Sequence, residues 1–136
     1  MTNIAVIGAG GRMGKALIET IAATDGVQLK GALENPQSSL IGVDAGELAG
    51  IGRNNIALVA SLQEIVGDFD ILIDFSIPSV TAANAAFCAA HGKKMVIGTT
   101  GLDQAQLQSV MHVCVCVRAG ICSLMTCVIC THTYKR

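Results

Sequence analysis

The chain has 136 residues, of which 51% are hydrophobic and 14% charged, with no tryptophan and a formal net charge of −1. This length suggests one domain with a core of aliphatic side chains, and the near-neutral charge gives no electrostatic reason to expect a nucleic-acid partner. No basic leader precedes the first apolar run, so the sequence predicts a cytoplasmic protein.

A glycine-rich turn joins the first predicted strand to the first predicted helix. The strand, Ile4–Ile7, is a continuous apolar run typical of a parallel sheet, and the helix, Met13–Ala23, has apolar residues at helical spacing. The glycines of this segment stand at Gly8, Gly10, Gly11 and Gly14. Glycine permits a sharp turn and lets a phosphate approach the backbone amides, so this setting predicts dinucleotide binding. A loop that merely links strand to helix is the alternative.

An acidic residue follows the second predicted strand. Val27–Leu33 forms that strand and Glu34 comes directly after it, about 20 residues beyond the glycines. In dinucleotide-binding folds an acid at this place accepts hydrogen bonds from the adenosine ribose, and the predicted strands are parallel. Glu34 would repel a cofactor that carries a 2′-phosphate unless a cation intervenes, and Arg12 is the available cation. An ordinary surface charge is the alternative for both residues.

The middle of the chain continues to alternate between strands and helices. Residues 35–55 predict a long loop with one helical turn, and the next predicted strands are Ile56–Ala60 and Ile71–Asp74. Between those strands Ser61 is predicted to cap a short helix, with Glu64 completing a capping box.

The next predicted helix and strand lead into a second candidate ligand loop. Pro78 suits the first turn of a helix that continues as Ser79–Ala90, and His91 is predicted to close it. The fifth predicted strand, Met95–Ile97, runs into Gly98, Thr99, Thr100 and Gly101, at the sheet edge where ligands of open α/β folds bind. A turn before a helix capped by Asp103 is the alternative. The whole pattern predicts an α/β fold with a Rossmann-like, doubly wound parallel sheet.

Several blocks of this sequence together resemble the amino-terminal half of the 4-hydroxy-tetrahydrodipicolinate reductase family, formerly called dihydrodipicolinate reductases. The resemblance runs from about residue 3 to about residue 110 and is dense. Two blocks, G-A-G-G-R-M-G and V-I-G-T-T-G, are together far more specific for the family than either block alone. The contributing segments are residues 6–14, 32–34, 44–50, 73–78, 91–93 and 95–101.

The resemblance implies hydride transfer from NADH or NADPH to a cyclic imine dicarboxylate in lysine and diaminopimelate biosynthesis. It implies cofactor contacts at Gly8, Ala9, Gly10, Gly11, Arg12, Met13, Glu34, Phe75, Ser76, Gly98, Thr99 and Thr100. Family members often carry an arginine directly after the acid, where this chain has Asn35. We therefore expect dual cofactor use or a preference for NADH, with a small molecule as substrate and neither a nucleic acid nor a membrane as partner.

The family pattern is lost after about Ser109, so we predict a dinucleotide-binding domain at residues 1–110 and a divergent, cysteine-rich tail at residues 111–136. A frameshift or truncation is the first explanation. The family's second domain, with its H-H-x-x-K region, its D-A-P-S-G-T stretch and its tetramer contacts, is not recognised here. We therefore assign no catalytic residue and expect no normal homotetramer, and a non-catalytic dinucleotide-binding module is an alternative function.

The tail allows further interpretations. The segment Val110–Cys130 is about long enough to span a bilayer, but Arg118 lies inside it. Val113–Val117 is predicted to form a sixth strand, with poor order or a loose helix beyond Gly120. Two cysteine pairs with nearby histidines make a metal-binding interaction protein a third functional hypothesis, although no metal site is assigned; these residues are Cys114, Cys116, Cys127, Cys130, His112 and His132.

Overall fold

The computed structural model describes residues 1–99, 103–106, 108 and 127–129. The chain divides into two compact units, Met1–Ile71 and Leu72–Arg136. The strands are β1 (Thr2–Ile7), β2 (Val27–Leu33), β3 (Leu58–Val59), β4 (Ile71–Asp74), β5 (Lys94–Ile97) and β6 (Cys127–Ile129). The α-helices are α1 (Arg12–Ala23), α2 (Ala45–Ala49) and α3 (Pro78–Ala90), and Leu62–Ile65 forms a short 3-10 helix.

Three parallel strands in the order β3-β2-β1 form the sheet of the first unit. The last four residues of β1 are buried, as the continuous apolar run predicts. Small aliphatic side chains fill the core beside the sheet, which lets α1 pack closely on the strands. The buried members of this cluster are Ala9, Ile18, Ala32, Ala45 and Leu58.

The loop between β2 and β3 contains the predicted helical turn, which is α2. Asp44 caps this helix by accepting a hydrogen bond from the Glu47 amide at 3.1 Å, and it also accepts from the amides of Asn54 at 3.1 Å and Asn55 at 2.7 Å. Desolvation raises the pKa of Asp44, but the hydrogen bonds from backbone amides to its carboxylate outweigh this effect and hold the pKa below its ordinary value of 3.8.

Ser61 caps the 3-10 helix, as predicted, but not in the predicted geometry. Its hydroxyl accepts from the Gln63 amide at 3.2 Å, while the Glu64 amide bonds to the Ser61 carbonyl at 3.2 Å. The capping-box prediction is wrong in this detail, because the tighter 3-10 turn brings the Glu64 amide to the backbone carbonyl instead of the hydroxyl.

In the second unit, α3 connects β4 to β5 along the chain, and these two strands are neighbours in the sheet. Pro78 occupies the start of α3, as predicted, because a proline there loses no helical hydrogen bond. His91 closes the helix, also as predicted, with Nδ1 2.8 Å from the Phe87 carbonyl oxygen and its ring stacked on Phe87. The Gly98 amide donates to the Asp74 carbonyl at 2.8 Å, so β4 and β5 end at the same edge.

Strand β5 lies between β4 and β6 in the sheet, and all three residues of β6 pair with β5 in parallel. The expectation of poor order beyond Gly120 is therefore wrong for Cys127–Ile129. The predicted strand at Val113–Val117 lies outside the described residues. Both segments are rich in valine and cysteine, and β propensity alone does not select between two such segments.

No helix within the described residues is both long and apolar enough to cross a membrane.

Candidate cofactor-binding residues

The glycine turn ties the end of β1 to the end of β2. Gly8 has a φ of +76°, a left-handed conformation that favours glycine. The amides of Gly8 and Ala9 both donate to the Leu33 carbonyl at 3.0 Å, and the Gly11 amide returns to the Gly8 carbonyl at 3.0 Å. Helix α1 begins at once, with Gly11 as an N-cap that supplies no side-chain hydrogen bond. The first amides of α1 therefore face the turn without a side-chain cap.

Packing explains the glycines at positions 10 and 14, but not the one at position 11. A Cβ on Gly14 would overlap the Gly8 carbonyl, and a Cβ on Gly10 would lie 2.6 Å from Leu40 Cδ1 and 2.8 Å from Glu34 Oε2. A Cβ on Gly11 would meet only the Gly8 carbonyl oxygen, at 3.4 Å, and this residue is exposed with a φ of −80°. The fold does not require glycine at position 11, and the open space there fits a group that approaches the backbone from outside.

Glu34 is held directly against the glycine turn. Its Oε2 accepts from the Gly10 amide at 2.8 Å, and its Oε1 accepts from the Asn35 amide at 2.9 Å. The structure thus brings together the glycines and the acid that the sequence separates by 24 positions. Arg12 and Met13 are exposed at the start of α1, on the same turn.

The predicted residues of the second unit follow the ends of β4 and β5. Phe75 and Ser76 come after β4, whereas Gly98 and Thr99 come after β5. A Cβ on Gly98 would overlap the ring of Phe75, so the glycine allows this ring to lie against the backbone. Thr100 lies outside the described residues.

Asp74 is a residue that the sequence reasoning missed as part of this arrangement. It is completely buried and accepts hydrogen bonds from the Ser76 amide at 2.9 Å, the Ser76 hydroxyl and Asn84 Nδ2 at 3.3 Å. The available signal is a carboxylate that ends the apolar strand I-L-I-D, because buried acids are rare unless they have hydrogen-bond partners.

The Thr99 hydroxyl belongs to the same buried cluster. It accepts from the Thr81 hydroxyl at 2.6 Å and from the Ser76 amide at 3.2 Å, and it lies 3.4 Å from both the carbonyl oxygen and Oδ1 of Asp74. The hydrogen-bonding capacity of this hydroxyl is therefore used within the cluster. A cofactor contact at Thr99 stays a prediction.

Cys88 lies close to this cluster on α3. Burial, and then the negative charge of Asp74, raise the pKa of the Cys88 thiol to about 12, with Lys93 acting in the opposite direction. The thiol is fully buried and stays protonated near neutral pH, so it is a packing residue and not a nucleophile.

The part of the chain that the structure describes contains no group of three or more metal-ligating side chains. The zinc ligands considered for the tail lie outside the described residues, apart from the backbone of Cys127. That hypothesis gains no support.

Comparisons with known proteins give the family. A family model described as dihydrodipicolinate reductase, N-terminus, matches residues 2–125. A curated 4-hydroxy-tetrahydrodipicolinate reductase from Saccharophagus degradans is 55% identical over 105 residues, which cover 77% of this chain and 39% of that relative. The chain thus spans well under half the length of this curated relative.

Solved structures agree on the fold. The chain is similar to a dipicolinate-bound dihydrodipicolinate reductase from Paenisporosarcina sp. TG-14, with a TM-score of 0.70 and 20% identity over 95% of this chain and 46% of that one. It is also similar to GenD2 from gentamicin A biosynthesis, solved with NAD, with a TM-score of 0.69 and 17% identity over 94% of this chain and 34% of that one. These matches confirm the predicted Rossmann-like α/β fold with a parallel sheet. Since the family model covers most of its length, this chain belongs to the dihydrodipicolinate reductase family and matches the family's N-terminal part.

Proposed function

We propose that this chain is the nicotinamide-cofactor-binding part of a 4-hydroxy-tetrahydrodipicolinate reductase. Such an enzyme transfers a hydride from NADH or NADPH to a cyclic imine dicarboxylate in lysine and diaminopimelate biosynthesis. The observation that carries the proposal is the glycine turn at the start of α1, whose Gly10 amide binds the Glu34 carboxylate. The 55% identity to a curated reductase over 105 residues supports it.

The first unit would hold the adenosine and pyrophosphate half of the cofactor. The amides of Gly10 and Gly11 already bond to Glu34 and to the Gly8 carbonyl. The next amides, those of Arg12 and Met13, lie at the positive end of the α1 dipole, where a pyrophosphate gains from both hydrogen bonds and charge. Arg12, exposed in the first turn, adds a positive charge there. Glu34 would accept hydrogen bonds from the adenosine ribose.

The residues after β4 and β5 would hold the nicotinamide half. The resemblance implies that the nicotinamide ring lies near Gly98, Thr99 and Thr100, and it implies cofactor contacts at Phe75 and Ser76. The hydrogen bond from the Ser76 amide to the Thr99 hydroxyl supports grouping these residues together. When bound, the cofactor supplies the hydride, and these residues bind and orient it. We assign no catalytic residue and no metal to this chain.

A matched pair of glycine variants tests cofactor binding. In Gly11→Val a branched side chain would occupy the space beside the first α1 amides, so we expect NADH affinity to fall about tenfold or more. Gly67→Val is the control, because Gly67 is also exposed, has no positive φ and has no atom within 4 Å of an added Cβ. NADH fluorescence titration gives the affinities, and thermal melts of both variants establish that the fold is kept. An unchanged NADH affinity in Gly11→Val would contradict the proposed site.

Turnover tests the reductase itself. NADH oxidation on addition of the cyclic imine is the expected activity of an enzyme that contains this domain. Tight NADH binding by this chain without turnover would instead favour the alternative of a non-catalytic dinucleotide-binding module.

A further inference from the structure

The buried Asp74 carboxylate sits under the loop that follows β4, where it contacts Ser76 through two hydrogen bonds. We propose that Asp74 is a positioning residue that fixes the Ser76 hydroxyl as a hydrogen-bond acceptor for the nicotinamide-ribose half of the cofactor. The inference rests on the proposed function and extends it by assigning the direction of one hydrogen bond.

The surroundings of Asp74 consist of neutral donors. Its Oδ1 accepts from the amide and the hydroxyl of Ser76, and its Oδ2 accepts from Asn84 Nδ2 at 3.3 Å. A fully buried acid costs free energy that an apolar residue at the end of a buried strand would avoid. The Thr99 hydroxyl is a fourth neighbour, 3.4 Å from Oδ1. These donors offset the cost, and two of the four belong to Ser76, so the arrangement fixes both the amide and the hydroxyl of that residue.

The hydrogen bond to Asp74 determines whether the Ser76 hydroxyl can act as a donor or as an acceptor toward a ligand. A serine hydroxyl has one proton and two acceptor lone pairs. The proton is committed to Asp74, and the Ser76 amide is shared between Asp74 Oδ1 and Thr99 Oγ1. The side chain can then offer a ligand only an acceptor oxygen. A ligand must meet it with an N–H or O–H group.

Thr99 does not compete for this role. Its hydroxyl accepts from Thr81 and from the Ser76 amide, and its own proton points to Asp74 at 3.4 Å. Both acceptor sites and the donor are thus used inside the cluster. The Ser76 hydroxyl oxygen, by contrast, keeps acceptor capacity for a ligand. The nicotinamide half offers two kinds of donor, the carboxamide NH₂ and the ribose hydroxyls.

Calorimetric titration of the 136-residue chain with NADH and with ADP tests the inference. ADP carries the adenosine and pyrophosphate but no nicotinamide, so it reports on the first unit alone. We expect Asp74→Ala and Ser76→Ala to weaken NADH binding about tenfold and to leave ADP binding unchanged. General destabilisation would weaken both ligands together.

Asp74→Asn provides a conservative rescue. Asparagine keeps an oxygen that accepts from Ser76, and the Asn84 amide can turn its own oxygen toward the new NH₂ group. We expect this variant to recover most of the NADH affinity that Asp74→Ala loses. Thr81→Val is the matched control, because it removes a buried hydroxyl of the cluster without touching Asp74, and its ratio of NADH to ADP affinity should equal that of the wild type.

An NADH analogue with an acetyl group in place of the carboxamide separates the two donors. If the carboxamide is the donor, the wild type will bind this analogue less tightly than NADH, whereas Ser76→Ala will bind the analogue and NADH with similar affinity. If a ribose hydroxyl is the donor, the wild type will bind both alike, and Ser76→Ala will weaken both.

The outcomes separate this inference from the proposed function. If the wild type binds NADH and ADP and Ser76→Ala binds NADH as tightly as the wild type, the inference alone is overturned. The same holds if Thr81→Val loses as much NADH affinity as Asp74→Ala. A wild-type chain that binds neither ligand would overturn the proposed function. If Asp74→Ala does not fold, Ser76→Ala and Asp74→Asn still decide the result.

Discussion

Glu34 and its neighbour Asn35 set the chemical character of the candidate ribose site. Both Glu34 oxygens accept backbone amides, so the carboxylate is fixed in place and not free to swing away. In the proposed site, a fixed negative charge would repel a 2′-phosphate and would accept hydrogen bonds from the two hydroxyls of an unmodified ribose. Asn35 contributes no charge to offset it.

At the same scale we expect the chain to bind NADH more tightly than NADPH and Asn35→Arg to narrow the difference. An arginine beside Glu34 would form charge-assisted hydrogen bonds with the 2′-phosphate, which should raise NADPH affinity about tenfold with little change for NADH. Gln63→Arg, which adds the same charge at an exposed position on the 3-10 helix, is the control. Fluorescence titration with each cofactor measures the effect. A wild-type preference for NADPH would contradict this account.

At the scale of single elements, α2 and its following loop depend on Asp44. Its folded pKa lies below the ordinary value of 3.8, because backbone amides bond to the charged form. The stabilisation is therefore complete well above pH 3.8 and is lost as the pH falls through the lowered folded value.

Urea unfolding of the wild type and Asp44→Ala at about pH 7 and about pH 3 checks this behaviour. At about pH 7 the wild type should have a larger free energy of unfolding than Asp44→Ala. At about pH 3 this difference between the two proteins should be smaller. Asp44→Asn keeps an oxygen acceptor but no charge, so its stability relative to Asp44→Ala should change little with pH. If the difference in unfolding free energy between wild type and Asp44→Ala instead grows on acidification, the pKa of Asp44 is not lowered in the folded state.

One of the contacts between the loops after β4 and β5 is the packing of the Phe75 ring against Gly98. Gly98→Ala should lower the free energy of unfolding by about 1–3 kcal/mol, because the new methyl group overlaps the ring. In a Phe75→Ala background the same change should cost much less. Urea unfolding of the four proteins in this double-mutant cycle gives the coupling energy. Additive effects would show that the ring does not limit position 98.

At the scale of the whole molecule, the core is built mainly from small and aliphatic side chains. Cys88 is one of them, and the reactivity of its thiol reports whether the second unit is folded. Cys88 is fully buried with a thiol pKa raised to about 12. Iodoacetamide at about pH 8 should leave the Cys88 peptide unmodified in the native chain and modify it in urea. Peptide mass spectrometry distinguishes Cys88 from the other five of the six cysteines. Rapid native labelling of Cys88 would contradict the packing of α3.

The sequence by itself determined the order of elements as far as β5 and the place of the glycine turn. Apolar runs, helical spacing and the start signal at Pro78 are local properties, and local backbone preferences carry them into the structure without distant contacts. The same local signals predicted the turn in the β2–β3 loop and the closing role of His91.

Tertiary structure decided which distant groups meet. Glu34 reaches the Gly10 amide across 24 positions, and Asp74 gathers donors from α3 and from the loop after β4. The choice of Cys127–Ile129 as the partner of β5 is likewise a matter of pairing across the chain. Hydrogen bonds of this kind depend on which strand ends are brought together, and no local pattern of residues encodes that juxtaposition.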